Sequence, residues 1–287
     1  MAIGDRKDGV YLKKINTFYS FIPFIMSSRV DSLNTFEDSV EITEIDRFLR
    51  AKRESGMKGI GMLHLFIAAY IRVVSQLPAL NRFVAGQRIY AAKEIVYVMS
   101  VKKEMSTRGE ETSIKVKFEP RDTIDDVYRK LSAEITAAVS GQDTKTDSAA
   151  ALLGKMPRLL LKFVMWIIRI VDYFGKLPRF LLDASPFHGS FIITDIGSLG
   201  IQPIFHHLYN FGTLPVFLAF GAKRKVYEVQ KDGTVEQRKY IDYKISTDER
   251  ICDGFYFAQA LKYLKSYLRH PELLEQPPEE IKLDPDL

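Results

Sequence analysis

The residues whose types and spacing could do chemistry gather in the C-terminal third of this 287-residue chain. His206 and His207 stand side by side in Pro203-Ile204-Phe205-His206-His207-Leu208. Imidazole titrates near neutral pH and can act as a base; the plainer reading is that one ring packs while the other faces solvent. Lys223, Arg224 and Lys225 follow Gly221, where they can meet phosphate groups or form a solvated basic turn. A denser cluster is Thr247-Asp248-Glu249-Arg250-Ile251-Cys252-Asp253-Gly254-Phe255. By residue type alone, Glu249 beside Arg250 is a surface ion pair and has no further role. Adjacent histidines diverge on an extended chain, and no cysteine or acidic cluster accompanies them, so no metal is expected. Cys252 is the only cysteine, which excludes an intrachain disulfide.

Elements to position these residues are legible along the chain. An alternating run at 34–43 predicts a strand, followed by a charged helix through Arg53. Residues 60–77 are apolar on almost every face and predict a buried helix stopped by Pro78. Runs at 95–101 and 113–118 predict paired strands. A helix over 124–138, capped by Asp122 or Thr123, ends near Gly141 and leads into a polar stretch, 142–148, expected to be a mobile loop. Strands are expected at 191–194, 216–220, 225–230 and 237–245, the last two joined as a hairpin at Lys231-Asp232-Gly233. Gly254 then opens a helix that runs to Arg269.

The segment Leu152–Leu182 is the most apolar of all. Lys162, Arg169 and Asp172 interrupt it and Pro157 and Pro178 bracket it, so no stretch approaches the ~20 apolar residues that a bilayer span needs. It is expected to pack on the body or on a neighbouring subunit. The alternative is a weak contact with a membrane surface through an amphipathic helix. The net charge of +5 and pI near 9.0 suit an anionic partner. No nucleic-acid module is recognisable, and nucleic acid is not expected as a partner. The polar N-terminus lacks the apolar core of a secretory signal, and a cytoplasmic location is the expectation.

Two blocks carry a resemblance. Glu249-x-x-x-Asp253-Gly254, a helix, and then Pro271-Glu272-Leu273-Leu274 resemble the C-terminal signature of 2-oxoacid dehydrogenase acyltransferases and chloramphenicol acetyltransferases, where His-x-x-x-Asp-Gly precedes a helix. Here Glu249 holds the histidine position. Gly189-Ser190-Phe191-Ile192-Ile193-Thr194-Asp195-Ile196-Gly197 resembles the family's Gly-Thr-Phe-Thr-Ile-Ser-Asn-Leu-Gly stretch in order and spacing. Leu77-Pro78-Ala79-Leu80-Asn81 and a basic residue at Arg29 extend the likeness over about 29–274.

The resemblance implies a single α/β domain over 1–287, a two-layer sandwich with a mixed sheet covered by helices. An apolar helical insertion is expected at about 150–184, with no lipoyl or subunit-binding domain. It also implies a homotrimer with active sites between subunits. In the family a histidine deprotonates the acceptor, which attacks the thioester of an acyl-CoA. Thr194 is then expected to hydrogen-bond the oxyanion. Asp253 is expected to pair with Arg29 to hold the loop, and Gly254 to allow close backbone packing. Lys223, Arg224 and Lys225 are the expected phosphate partners of coenzyme A. Glu249 leaves two readings: acyl transfer to a small hydroxyl, amine or thiol with Glu249 or His207 as the replacement base, or a catalytically inactive CoA-binding or scaffold protein.

Overall fold

Alternating residues along β2 (Leu33–Glu41), β6 (Glu111–Phe118) and β10 (Val235–Asp248), with near-continuous apolar runs in β5 (Ile95–Lys102), β7 (Phe191–Asp195) and β8 (Val216–Phe220), build a sheet whose inward face is apolar. The computed structural model describes residues 4–104, 106, 108–140 and 144–287. The strand order is β2-β10-β8-β7-β5-β6, and β9 (Arg224–Val229) pairs with the first half of β10. The β5–β7 and β7–β8 pairs are parallel and the rest antiparallel, so the sheet is mixed, as expected.

Helices α3 (Met62–Gln76), α4 (Ile124–Val139) and α8 (Gly254–Arg269) supply residues to the core on one face, alongside α2 (Thr43–Glu54). Every residue of α3 except Leu63 and Gln76 is buried. Phe66 stacks on Phe220 with ring centres 4.6 Å apart, and Tyr70 lies 4.4 Å from Phe191. Each such side chain withdrawn from water contributes about 1.5–3 kcal/mol. α4 begins at Thr123, whose hydroxyl accepts from the Asp126 amide while Asp126 bonds back. The acidic tail folds back over this layer: the Lys282 amide donates to the Ser75 carbonyl, and Asp284 and Asp286 clamp the buried Arg82.

A second, three-stranded sheet was not legible beforehand. β1 (Gly9–Tyr11), β4 (Arg88–Ala92) and β3 (Arg82–Ala85) pair antiparallel in that spatial order. Tyr19 of α1 (Thr17–Ile25) packs beside the sheet's cluster of Leu12, Val84, Ile89 and Ala91. The strands are too short for alternation to stand out, and Gly86-Gln87 between β3 and β4 take positive φ values of 55° and 59°.

The apolar segment forms α5 (Lys145–Gly154), α6 (Arg158–Tyr173) and α7 (Arg179–Ala184). Residues 145–148 are therefore helical rather than a loop, because Thr144 and Asp147 close a capping box. Gly141, Gln142 and Asp143, where the polar stretch begins, lie outside the described residues. No helix among the described residues is long and apolar enough to cross a membrane.

Candidate functional site

The loop after β10 is built on buried charge. Asp248 is fully buried and accepts two side-chain bonds from Arg250, Nε to Oδ1 at 2.8 Å and Nη2 to Oδ2 at 2.7 Å, besides one from the Arg250 amide at 3.2 Å. Ser32 Oγ donates to the same carboxylate at 2.9 Å. Arg29 lies on its other side with Nε 3.7 Å from Asp248 Oδ2, and its Nη2 donates to the Val84 carbonyl at 2.7 Å. Burial, with the Arg250 charge acting in the same direction, pulls Arg29 down to about 10 despite Asp248. Bidentate arginine–carboxylate geometry of this kind fixes backbone direction as well as charge.

Glu249 rides on this knot. Its amide donates to the Ser32 carbonyl at 2.9 Å, while its half-buried side chain makes no hydrogen bond or ion pair among the described residues. The expected ion pair between Arg29 and Asp253 is not formed. Asp253 is exposed and caps α8, accepting the Tyr256 amide at 2.7 Å; the carboxylate beside Arg29 is Asp248. Gly254 does not serve close packing either, because a Cβ there would meet nothing within 4 Å. Close approach occurs instead where Gly197 meets the end of β8: a Cβ on Gly197 would lie 2.3 Å from the Gly221 carbonyl. Burial pushes the Cys252 thiol up, which keeps it from forming a nucleophilic thiolate.

Thr194 lies on the sheet face opposite α3, half-buried, with its hydroxyl unbonded among the described residues. It stands opposite Ala219 of β8, which stands opposite Lys244 of β10. Glu249 is five residues beyond Lys244 and two strands away. Strand rise and spacing put Thr194 and Glu249 of one chain roughly 19 Å apart. They cannot act on one bond within a single chain.

Of the two histidines, His206 shares the Thr194 face. Its ring stacks on Phe217 at 4.0 Å with an interplanar angle of 5°, and Phe217 is paired with Ile192 on the strand of Thr194. His207 is exposed and its Nδ1 lies 3.3 Å from the Leu208 carbonyl, so nothing ties it to Thr194. Two of the three expected phosphate partners already hold carboxylates. Lys223 pairs with Asp46 at 2.6 Å, and Arg224 grips Asp242 with two bonds of 2.6 and 2.8 Å; Lys225 is exposed.

Sequence reasoning missed Asp248 and Arg250 because each, seen alone, is an ordinary loop charge. The signal was the Asp-x-Arg spacing at a strand end, which lets one side chain fold back on the other. It also missed a cleft of about 450 Å³ beside the knot, lined by Arg29, Arg250, Arg169, Asp172, Ser27 and Ser28. A second cavity of about 350 Å³ contains Lys115, which burial holds down at about 8 while its amine donates to the carbonyls of Leu182 in α7 and Ser185 just after it.

With this geometry in place, the comparisons agree on the fold. Residues 182–275 match the family model described as 2-oxoacid dehydrogenases acyltransferase (catalytic domain). A probable dihydrolipoamide acetyltransferase from Listeria monocytogenes superposes with a TM-score of 0.58 at 17% identity, covering 94% of this chain and 96% of that one. The cubic core of the pyruvate dehydrogenase multienzyme complex gives 0.58 at 16%, covering 92% and 90%. A chloramphenicol acetyltransferase gives 0.54 at 12%, covering 90% and 98%. No curated protein sequence matches. The resemblance read from the two C-terminal blocks and the fold class drawn from it are thereby borne out.

Proposed function

We propose, from the premise that this chain carries the fold of the 2-oxoacid dehydrogenase acyltransferase catalytic domain, that it moves an acyl group from coenzyme A to a small hydroxyl, amine or thiol acceptor. Glu249 takes the acceptor's proton at a site completed by a neighbouring subunit. The supporting observation is the separation of Thr194 from Glu249, roughly 19 Å in one chain by strand geometry. A Glu249 carboxylate from one subunit and a Thr194 hydroxyl from the next can meet in a homotrimer.

In this reading the knot of Asp248, Arg250 and Arg29 holds the Glu249 backbone still, so the carboxylate reaches the acceptor without an ordering cost at each turnover. The Thr194 hydroxyl donates to the oxyanion that forms when the acceptor adds to the thioester. Glu249 then returns its proton as the thiol leaves. Lys225 is the one member of the basic turn without a carboxylate partner among the described residues and is assigned to a phosphate group of coenzyme A.

The second reading is a catalytically silent CoA-binding or scaffold protein on the same body. Its scaffold form is favoured by the carboxylates already held by Lys223 and Arg224, which leave these cations less free for a phosphate. Thiol release from a panel of acyl-CoAs, with and without acceptors, separates the two. In the enzyme reading Glu249→Gln lowers turnover at least ~100-fold, and Thr194→Ala lowers it by ~10²–10³. Mixing the two inactive variants in refolded trimers should restore about a quarter of the native rate, because that fraction of interfaces receives both native residues. No turnover in the native chain, with CoA binding retained in calorimetry, selects the silent reading.

A further inference from the structure

Helix α6 is apolar on most of its surface, yet Asp172 is its only buried residue. Leu159, Phe163, Trp166 and Ile170 follow one another at steps of four, three and four residues and therefore share one face. They are 81%, 55%, 58% and 37% exposed. At 100° per residue, Arg158, Lys162 and Arg169 line one flank of that stripe, all exposed. Asp172, the only acid of the helix, is turned inward and bonded to Arg6 at 2.7 Å. The outward face thus carries aromatic and aliphatic side chains edged by cations alone.

A second element repeats the pattern. α1 exposes Phe18, Phe21, Phe24 and Ile25, Lys13 and Lys14 precede it, and no acidic residue occurs between Tyr11 and Val30. Ser27 and Ser28, just after α1, line the same cleft as Arg169 and Tyr173 of α6, so the C-terminal ends of the two helices flank one cleft. An apolar patch of this extent calls for a partner. Two such faces brought together would set lysine against arginine, whereas an anionic surface meets every exposed charge with its opposite.

We infer that α6, together with α1, docks the protein on an anionic phospholipid bilayer, with α6 lying in the plane of the interface. The apolar stripe enters the headgroup and upper acyl region, and the lysine and arginine flank meets phosphate headgroups. Trp166, centred in the stripe, sits where tryptophan partitions most readily. The inference goes beyond the acyl-transfer reading and does not depend on it.

Trp166 is the only tryptophan in the chain, so it reports on this face without modification. The full-length protein is mixed with vesicles of phosphatidylcholine alone or with about one-third phosphatidylglycerol, and tryptophan emission and flotation are followed. Docking predicts an acrylamide-accessible Trp166 in solution, a blue shift with the anionic vesicles only, and quenching by lipids brominated in the upper acyl chain. Phe163→Glu with Ile170→Glu should lower partitioning by tenfold or more, and Lys162→Glu with Arg169→Glu should abolish the preference for anionic lipid. All four positions are solvent-facing, and an unchanged melting temperature checks the fold. A Trp166 already shielded in solution and indifferent to vesicles would overturn the inference, since another copy of the chain would then cover α6. Equal binding to neutral vesicles would overturn the role given to the cations.

Discussion

α3 and α6 are near twins in composition and opposites in fate. Both are rich in leucine, isoleucine, valine and phenylalanine, and both carry isolated charges or rings that a purely apolar helix would lack. α3 lies across the sheet and is buried almost end to end; α6 buries only Asp172 and half-buries Leu161, Val164, Met165, Ile168 and Val171, and its other side chains are exposed. Their attachments differ in kind. α3 is held by rings stacked on the sheet, as Phe66 on Phe220, whereas α6 is moored at its C-terminal end by Asp172, which bonds to Arg6 and lies 3.4 Å from His188 Nε2. Apolar content therefore marks a face that needs covering, and the surroundings decide what covers it.

The sharpest way to break this comparison is to remove one phenylalanine from each helix. Phe66→Ala should cost ~3–5 kcal/mol, the transfer term plus the cavity left between α3 and β8. Phe163→Ala should stay within about 0.5 kcal/mol for the protein in solution. Urea unfolding of the two variants measures both, and similar losses would mean that α6 is a core helix in the assembled protein.

Next in size is the titration of α3. Burial lowers His64 from 6.5 to about 4, and the Gly61 amide donates to Nδ1, which accepts only while unprotonated. The unfolded chain takes up this proton first as pH falls, so stability declines from about pH 6.5 to about pH 4, by up to ~3 kcal/mol. Unfolding free energies measured across that window should show the slope in the native protein and lose it in His64→Gln.

The mooring of α6 titrates lower and is worth less. Burial works against the Asp172 carboxylate, but His188 and Arg6 overcome it and hold the group down, from 3.8 to about 2. A depressed carboxylate stabilises the fold above its unfolded value and loses that contribution as pH falls through the folded one. The roughly 2 kcal/mol involved should thus disappear between about pH 4 and pH 2. Asp172→Asn should remove that amount at neutral pH and raise hydrogen exchange in α6 and β1 while leaving α3 protected.

Much of the large sheet was legible because its strands are alternating or continuously apolar runs bounded by turns, and because α4 and α8 have side-chain caps. The 34–43 run became β2, 95–101 and 113–118 became the β5–β6 pair, and the expected hairpin formed between β9 and β10. The three-stranded sheet was not legible, since strands of three to five residues give periodicity too little length. Within the site, Glu249 and Thr194 stood out only through the resemblance. Asp253 and Arg29 were each located, but the pair drawn between them was wrong. A carboxylate five residues earlier, at the strand end, lies deep enough to meet a buried guanidinium, whereas a helix cap must face the helix amides.

By itself the sequence determined the strand and helix content of the large sheet, the buried course of α3, and the order of motifs that carries the acyltransferase likeness. These depend on local patterning and on blocks that keep their spacing along the chain. Only the tertiary structure decided that Asp248 rather than Asp253 stands beside Arg29, that Lys223 and Arg224 hold carboxylates, and that α6 is left uncovered. Each of these depends on which distant groups become three-dimensional neighbours, in the low-dielectric interior for Asp248 and Arg29 and at the surface for Lys223 and Arg224, and no run of residues encodes that alone.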